Sequence, residues 1–355
     1  MPPTLTRRTL MKTAAGGLAV LAGSGAAASY AMQADIDSGG IGLMRADWES
    51  IVGEGTASGD LVEYANPEFE GLSIFARFDG SDRVIHLEFV YAENDTGGLS
   101  MDDVRAQIDG AMPSDANQME TFLMTPEHEG ATLYRAERFT SEQLGATSNG
   151  LASILVIAQL QSGSGESSVT RVSLSMPGPH TMEAREVGNP GGIGLPQAEW
   201  NTLYGEPVDG ENVYENEVVP DFQLLVQFEP EDRANLVTTT VDGEMTPIVG
   251  YADAKGLVGS LLPDDAILRD VYQVPSTPER MTALLAEMWE CPSLADVTDE
   301  AGSVLALYEQ ATDTSPVTVS RVFVALPVKA EEGEEATPAA SPGTTSATPI
   351  ASPAS

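Results

Sequence analysis

The chain has 355 residues, 54 Asp and Glu against 17 Lys and Arg, a single Cys and 42% apolar residues. A formal charge of −37 excludes binding to nucleic acid by neutralising phosphates and opposes docking on an anionic membrane. One Cys excludes an intramolecular disulfide framework and a Cys-based structural zinc site, while the apolar content suits one or two folded domains.

Thr6-Arg7-Arg8-Thr9-Leu10-Met11-Lys12 precedes an Ala- and Gly-rich apolar stretch from Ala14 to about Ala28. An Arg pair, a hydrophobic residue two places on, a Lys and a weakly hydrophobic run resemble a twin-arginine (Tat) export signal over residues 1–31. The resemblance implies recognition of Arg7 and Arg8 by the Tat translocation machinery, cleavage after Ala28 or Ala31, and a periplasmic, cell-envelope or extracellular destination. The longest later apolar run, Leu151 to Leu160, is too short to span a bilayer, so no transmembrane segment is expected in the mature chain.

Comparison of the chain with itself carries the strongest architectural signal. Gly39 to Gly55 (GGIGLMRADWESIVGEG) aligns with Gly191 to Pro207 (GGIGLPQAEWNTLYGEP) at nine of seventeen positions. Asp82-Arg83 then matches Asp232-Arg233, Pro113 to Ala116 matches Pro263 to Ala266, and Val169 to Pro177 matches Val319 to Pro327. The expected organisation is a signal peptide at 1–31, a linker at 32–38, repeat domains at 39–188 and 189–328, and a tail at 329–355.

Within each repeat, Arg45 to Val52 and Gln197 to Tyr204 read as short helices stopped at Gly53 and Gly205. Leu72, Ile74, Ala76 and Phe78 alternate with Ser73, Arg77 and Asp79, which predicts a strand with one solvated face. Phe222 to Phe228 repeats the pattern. Ser100 with Asp103 forms a capping-box start for a helix bearing Val104, Ile108 and Ala111, ended by Pro113 as its counterpart is by Pro263. Thr277-Pro278-Glu279 opens a further predicted helix with Met281, Leu284, Leu285 and Met288 on one stripe, and Thr125-Pro126-Glu127 matches it. Two closing strands follow in each repeat, Ser153 to Leu160 with Val169 to Met176, and Ser303 to Tyr308 with Val317 to Leu326. The fold class is therefore α+β: two similar domains, each an antiparallel sheet with a few helices on one face. The opening helix and Gly-Glu ending, followed by alternating strands, resemble the helix-plus-sheet modules of β-lactamase inhibitory protein and the outer-membrane assembly lipoproteins. The resemblance is one of form and implies no chemistry.

From Lys329 the composition turns to Ala, Pro, Thr, Ser and Glu, which predicts a disordered spacer. Residues 1–31 carry +3 and this tail −3, so residues 32–328 hold the full −37, a property of folded surface rather than of an acidic tail.

No catalytic constellation emerges. No Gly-x-Ser-x-Gly elbow or Ser-x-x-Lys occurs, and the three histidines, His86, His128 and His180, have no partner at metal-ligand spacing. His86 alternates with Ile85, Leu87 and Phe89 and reads as a surface or rim residue. His128 lies in Glu127-His128-Glu129, whose adjacent side chains diverge, and His180 falls in the linker between repeats. Cys291 reads as a partly buried structural residue. Asp35 to Gly40 starts like a calcium loop but has Gly39 at position five and Ala46 where the bidentate Glu belongs. Gly39-Gly40-Ile41-Gly42 follows no strand and precedes no Gly-Lys-Ser.

Of the residues shared by the repeats, Trp48 and Trp200 suit core anchors, Arg83, Arg233, Arg171 and Arg321 suit pairing with neighbouring acids, and Asp115 and Asp265 suit Asx turns. The sequence therefore assigns no catalytic, cofactor-binding or metal-ligating residue and no cofactor. It points to an exported, non-enzymatic binding or interaction protein whose partner is a protein or small ligand and not nucleic acid. A carboxylate-based hydrolase and an acidic cation-binding protein of the envelope are the alternatives.

Overall fold

The structure is a computed structural model that describes residues 36–65, 72–91, 99–125, 132–147, 153–161, 168–179, 191–208, 212–215, 223–228, 232–240, 249–278, 282–298, 302–311 and 317–328. The export signal with Arg7 and Arg8, Asp35, His128, His180 and the tail lie outside the described residues.

The first half runs α1 (Arg45–Val52), β1 (Thr56–Ser58), β2 (Leu61–Ala65), β3 (Leu72–Phe78), β4 (Val84–Tyr91), α2 (Met101–Ala111), β5 (Asn117–Met124), β6 (Leu133–Thr140), α3 (Glu142–Thr147), β7 (Ser153–Gln161) and β8 (Ser168–Ser175). The second half runs α4 (Gln197–Tyr204), β9 (Val213–Glu215), β10 (Gln223–Phe228), β11 (Ala234–Thr240), β12 (Val249–Gly250), α5 (Tyr251–Leu261), β13 (Ile267–Val274), β14 (Thr282–Glu290), a 3-10 turn (Pro292–Leu294), α6 (Ala295–Thr298), β15 (Ser303–Ala311) and β16 (Thr318–Ala325).

The chain is mostly β. It forms two eight-stranded sheets, and every strand pair in them is antiparallel. The first sheet has the order β1-β2-β3-β4-β8-β7-β6-β5; the second follows β13-β14-β15-β16-β11-β10-β9, with β12 paired to β16. Corresponding strands from β2 and β9 onward occupy the same places.

Helices are few because several predicted helical residues pair as strands. The stripe at Leu284, Leu285 and Met288 belongs to β14, paired on both sides, and not to a helix begun at Pro278. Its apolar residues serve two faces: Leu285 and Trp289 join the core under α5, while Leu284, Ala286 and Met288 face the other way. A residue set that satisfies a helical stripe also satisfies a strand buried on both faces, and the sheet settles the ambiguity. Pro126 to Glu129 lie outside the described residues. The helices at α1, α2, α4 and α5 form as expected, and α2 carries the full capping box between Ser100 and Asp103.

The predicted solvated sheet face is also replaced. One cluster, in the first half, packs α2 residues Val104 and Ile108 on Ile154, Val156, Val172 and Leu174. A second does the same beneath α5, and a third is shared by both halves. Phe122, Tyr134, Leu155 and Ile157 of the first sheet meet Leu236, Tyr272, Leu305 and Phe323 of the second. The layers therefore run helix, sheet, sheet, helix. In β7, Ile154, Val156 and Ala158 face the helix side and Leu155 and Ile157 the second sheet, which explains why that strand is an unbroken apolar run.

Reciprocal contacts fasten the layers. Gly178, just past β8, donates its N–H to the Val271 carbonyl of edge strand β13 at 2.8 Å. Val328, just past β16, donates to the Thr121 carbonyl of edge strand β5 at 2.8 Å, beside a bridge between Phe122 and Pro327. Each half thus covers an edge of the other, hiding backbone groups that would otherwise template aggregation.

The shared sequence motifs serve this architecture. Gly42 and Gly194 have φ of +88° and +82°, and each carbonyl accepts from an arginine: Arg83 Nη1 at 2.6 Å and Arg233 Nη1 at 3.0 Å. These two arginines cap loop carbonyls instead of pairing with acids. Asp82 and Asp232, both at φ 59°, accept from the Arg45 and Gln197 amides and so seat α1 and α4. Trp48 and Trp200 are core anchors, edge-on to Tyr64 and Tyr214. Asp115 and Asp265 reach beyond an Asx turn: Asp115 accepts from Ser141 Oγ and the Gln143 N–H, and Asp265 from Ser293 Oγ and N–H, capping the short helical segments after β6 and β14. Ile36 to Ser38, expected as linker, is part of the fold. Ile36 is buried, and the Asp37 carbonyl accepts from Ser114 N–H.

Candidate functional site

Chemistry-bearing side chains gather in two places, one between the sheets and one on the outer face of the first sheet. Between the sheets, strand alternation turns Leu87 and Phe89 toward α2, and so sends His86 and Glu88 inward. Both are completely buried, which corrects the expectation of a rim histidine. A 2.8 Å hydrogen bond joins His86 Nδ1 to Ser175 Oγ, its register partner on β8. His86 Nε2 lies 3.8 Å from Glu88 Oε2, and Arg171 Nη1 lies 3.5 Å from Glu88 Oε1. Arg171 Nη1 also donates to Thr277 Oγ1 at 3.3 Å, so a residue of the second half closes the cluster.

Serine, imidazole and carboxylate in contact have the composition of a nucleophilic site. The geometry works against that use, since His86, Glu88 and Ser175 expose 0%, 0% and 1% of their surface. No reacting group can approach without the sheets parting. The positions 150 residues later are Leu236, Thr238 and Ala325, so the second half fills the equivalent place with a mainly apolar set.

Further contacts cross the seam. Tyr134 Oη donates to Glu309 Oε1 at 2.8 Å, near Arg321 Nε at 4.0 Å from Glu309 Oε2. Ser153 Oγ donates to Asp270 Oδ2 at 3.0 Å and bonds Tyr272 Oη at 2.8 Å. Burial and the Asp270 charge push the Tyr272 hydroxyl far above its ordinary range, so it stays protonated. Arg171 and Arg321 therefore do lie beside acids, Glu88 and Glu309.

On the outer face, Glu137 of β6 is 1% exposed. Its two oxygens accept from Arg105 Nη1 and Nη2 of α2 at 2.6 Å each, and Arg135 Nε adds a third bond at 2.8 Å. Burial opposes ionisation of Glu137, but the Arg105 pair and Arg135 outweigh it and hold the carboxyl below the usual range. Asp109, one turn along α2, moves the other way: desolvation raises it and Arg105 opposes, while the Glu137 charge adds to the rise. Glu287, 150 residues on, is equally buried. It accepts from the hydroxyls of Tyr251 and Tyr308 at 2.9 Å each, with Lys255 Nζ at 3.8 Å. The sequence comparison passed over this Glu137/Glu287 pair and the Arg105/Lys255 pair. The signal was present, a carboxylate at the same 150-residue offset in the middle of two strands.

Cys291 is wholly buried, its N–H donating to the Gly302 carbonyl at 2.9 Å. Among the described residues no group of three or more His, Cys, Asp or Glu could hold a metal ion, and no helix is long and apolar enough to cross a membrane. No protein-family model matches the sequence, and no curated protein matches it. A solved structure, the tesB protein of Mycobacterium avium subs paratuberculosis, aligns at 9% identity over 69% of this chain and 94% of that one with a TM-score of 0.13, a likeness too slight to bear on fold or activity.

Proposed function

We propose that the protein is exported by the Tat route from Arg7 and Arg8 and works outside the cytoplasm as a non-enzymatic binding or interaction protein. It would be built from an internal duplication of one sheet-and-helix domain. The identical order of corresponding strands supports the duplication, and the burial of His86, Glu88 and Ser175 supports a binding rather than a nucleophilic role.

The observation that carries the binding reading is where apolar surface remains. The helix-free sheet faces are spent on each other. Of the five large apolar side chains exposed among the described residues, Met119, Leu123 and Val328 gather on and beside β5, with Leu203 and Val317 elsewhere. A photo-crosslinking amino acid at 123 in exporting cells should capture a partner that the same group at 203 does not. No adduct at 123, or equal adducts at both, would refute the reading. Arg7→Lys with Arg8→Lys should hold the precursor in the cytoplasm.

A second reading, a hydrolase with a carboxylate site, draws on Asp109 of α2, whose proton affinity desolvation raises, as a general-acid carboxylate requires. Loss of a hydrolytic activity in Asp109→Asn with an unchanged thermal melt would support it.

A further inference from the structure

The structure assigns Pro327 and Val328 the role of a closing latch, which completes the first sheet only when the whole folded chain has been made. This inference rests in its second part on the export reading above.

Strand β5 is completed by the other half on two of its sides. Its free edge is covered by the bridge from Phe122 to Pro327 and by the Val328 N–H on the Thr121 carbonyl. Its inward side chains, Phe122 and Met124, are both completely buried in the cluster shared with Tyr272, Leu284 and Phe323. An edge strand with an uncovered row of backbone groups and two large apolar side chains in water is poorly held and prone to pair with other chains. The first half therefore cannot finish as an independent unit during synthesis. Residue 328 directly precedes the Pro- and Ala-rich stretch from Lys329. The counterpart latch, Gly178 on Val271, has both its partners in the chain once β13 is made, whereas Val328 follows Thr121 by 207 residues, so the two closures can differ in order. On a route that carries folded chains, an open β5 edge would mark a truncated or unfinished molecule.

The test compares deletion of 329–355, deletion of 327–355 and the full chain with Val328→Pro, which removes the donor of the backbone bond while keeping the chain's length. Hydrogen exchange is read on the purified proteins over 117–124, and the exported fraction is read in cells. Loss of 329–355 should leave both unchanged. Loss of 327–355 should speed exchange over β5 roughly tenfold or more and lower the exported fraction; Val328→Pro should speed it by a few-fold, the range of one hydrogen bond. Equal exchange in the two deletions and in Val328→Pro would overturn the latch. If Arg7→Lys with Arg8→Lys leaves export intact, the export half falls by itself, and the exchange data still decide the latch.

Discussion

His86 Nδ1 and Ser175 Oγ lie 2.8 Å apart on neighbouring strands β4 and β8, closed from solvent between two sheets. The pair shows how a chain with an apolar seam accommodates polar groups: His86 bonds Ser175, Arg171 bonds Thr277, and Glu88 lies between the imidazole and the guanidinium at 3.8 and 3.5 Å.

Removing both members should therefore cost less than the two single removals added together. Ser175→Ala strands the imidazole nitrogen and should destabilise by about 1–3 kcal/mol. His86→Leu with Ser175→Ala, which installs the second half's Leu236 and Ala325 types, should cost less than the sum of the singles. Urea melts of the three variants give the coupling, and additivity would show that the hydrogen bond contributes nothing.

Glu137 predicts an acid-limb effect. Its carboxyl titrates lower in the folded chain than in the unfolded one, so its stabilisation is present above the ordinary carboxylate range and is lost as pH falls through the depressed folded value. Glu137→Gln should cost about 1–3 kcal/mol at neutral pH, because three charge-assisted hydrogen bonds are weakened while both arginines keep access to water. It should also flatten the fall in melting temperature below about pH 4.

Glycine substitutions should separate strain from crowding. Gly53 and Gly205 have φ of +92° and +85° with open space where a Cβ would sit, so Ala there should cost roughly 1–3 kcal/mol from backbone strain alone. At Gly42 a Cβ would meet Leu144 Cδ2 at 2.6 Å and at Gly194 Leu294 Cδ2 at 2.6 Å. Those two should cost roughly 1–3 kcal/mol more by overpacking. Thermal melts of the four single variants check the ranking.

The shared core predicts one unfolding transition rather than two. Trp48 reports on the first half and Trp200 on the second, and single-tryptophan variants should melt coincidentally in urea. Tyr134→Phe, which leaves Glu309 without its donor across the seam, should lower both midpoints together by about 1.5–3 kcal/mol in stability.

Local elements were readable where a residue carries its reason with it. Ser100 and Asp103 announced α2, and Gly53 and Gly205 ended their helices. Misreadings fell where burial on a second face mattered. Leu284, Leu285 and Met288 fit a helix until both faces of β14 are seen to be covered, and His86 passed for a rim residue because its alternation is equally that of a strand with one wet face.

The sequence by itself therefore determined the acidic charge, the capped start of α2, and the helix ends before Gly53, Pro113, Gly205 and Pro263, all of which depend on residue type and local spacing. Only tertiary structure decided that the second sheet takes the place of solvent, that Arg83 and Arg233 cap glycine carbonyls, and that Glu137 is held by Arg105. Those outcomes depend on which surfaces meet. Burial and pairing across sequence-distant strands leave no periodic trace in any one segment.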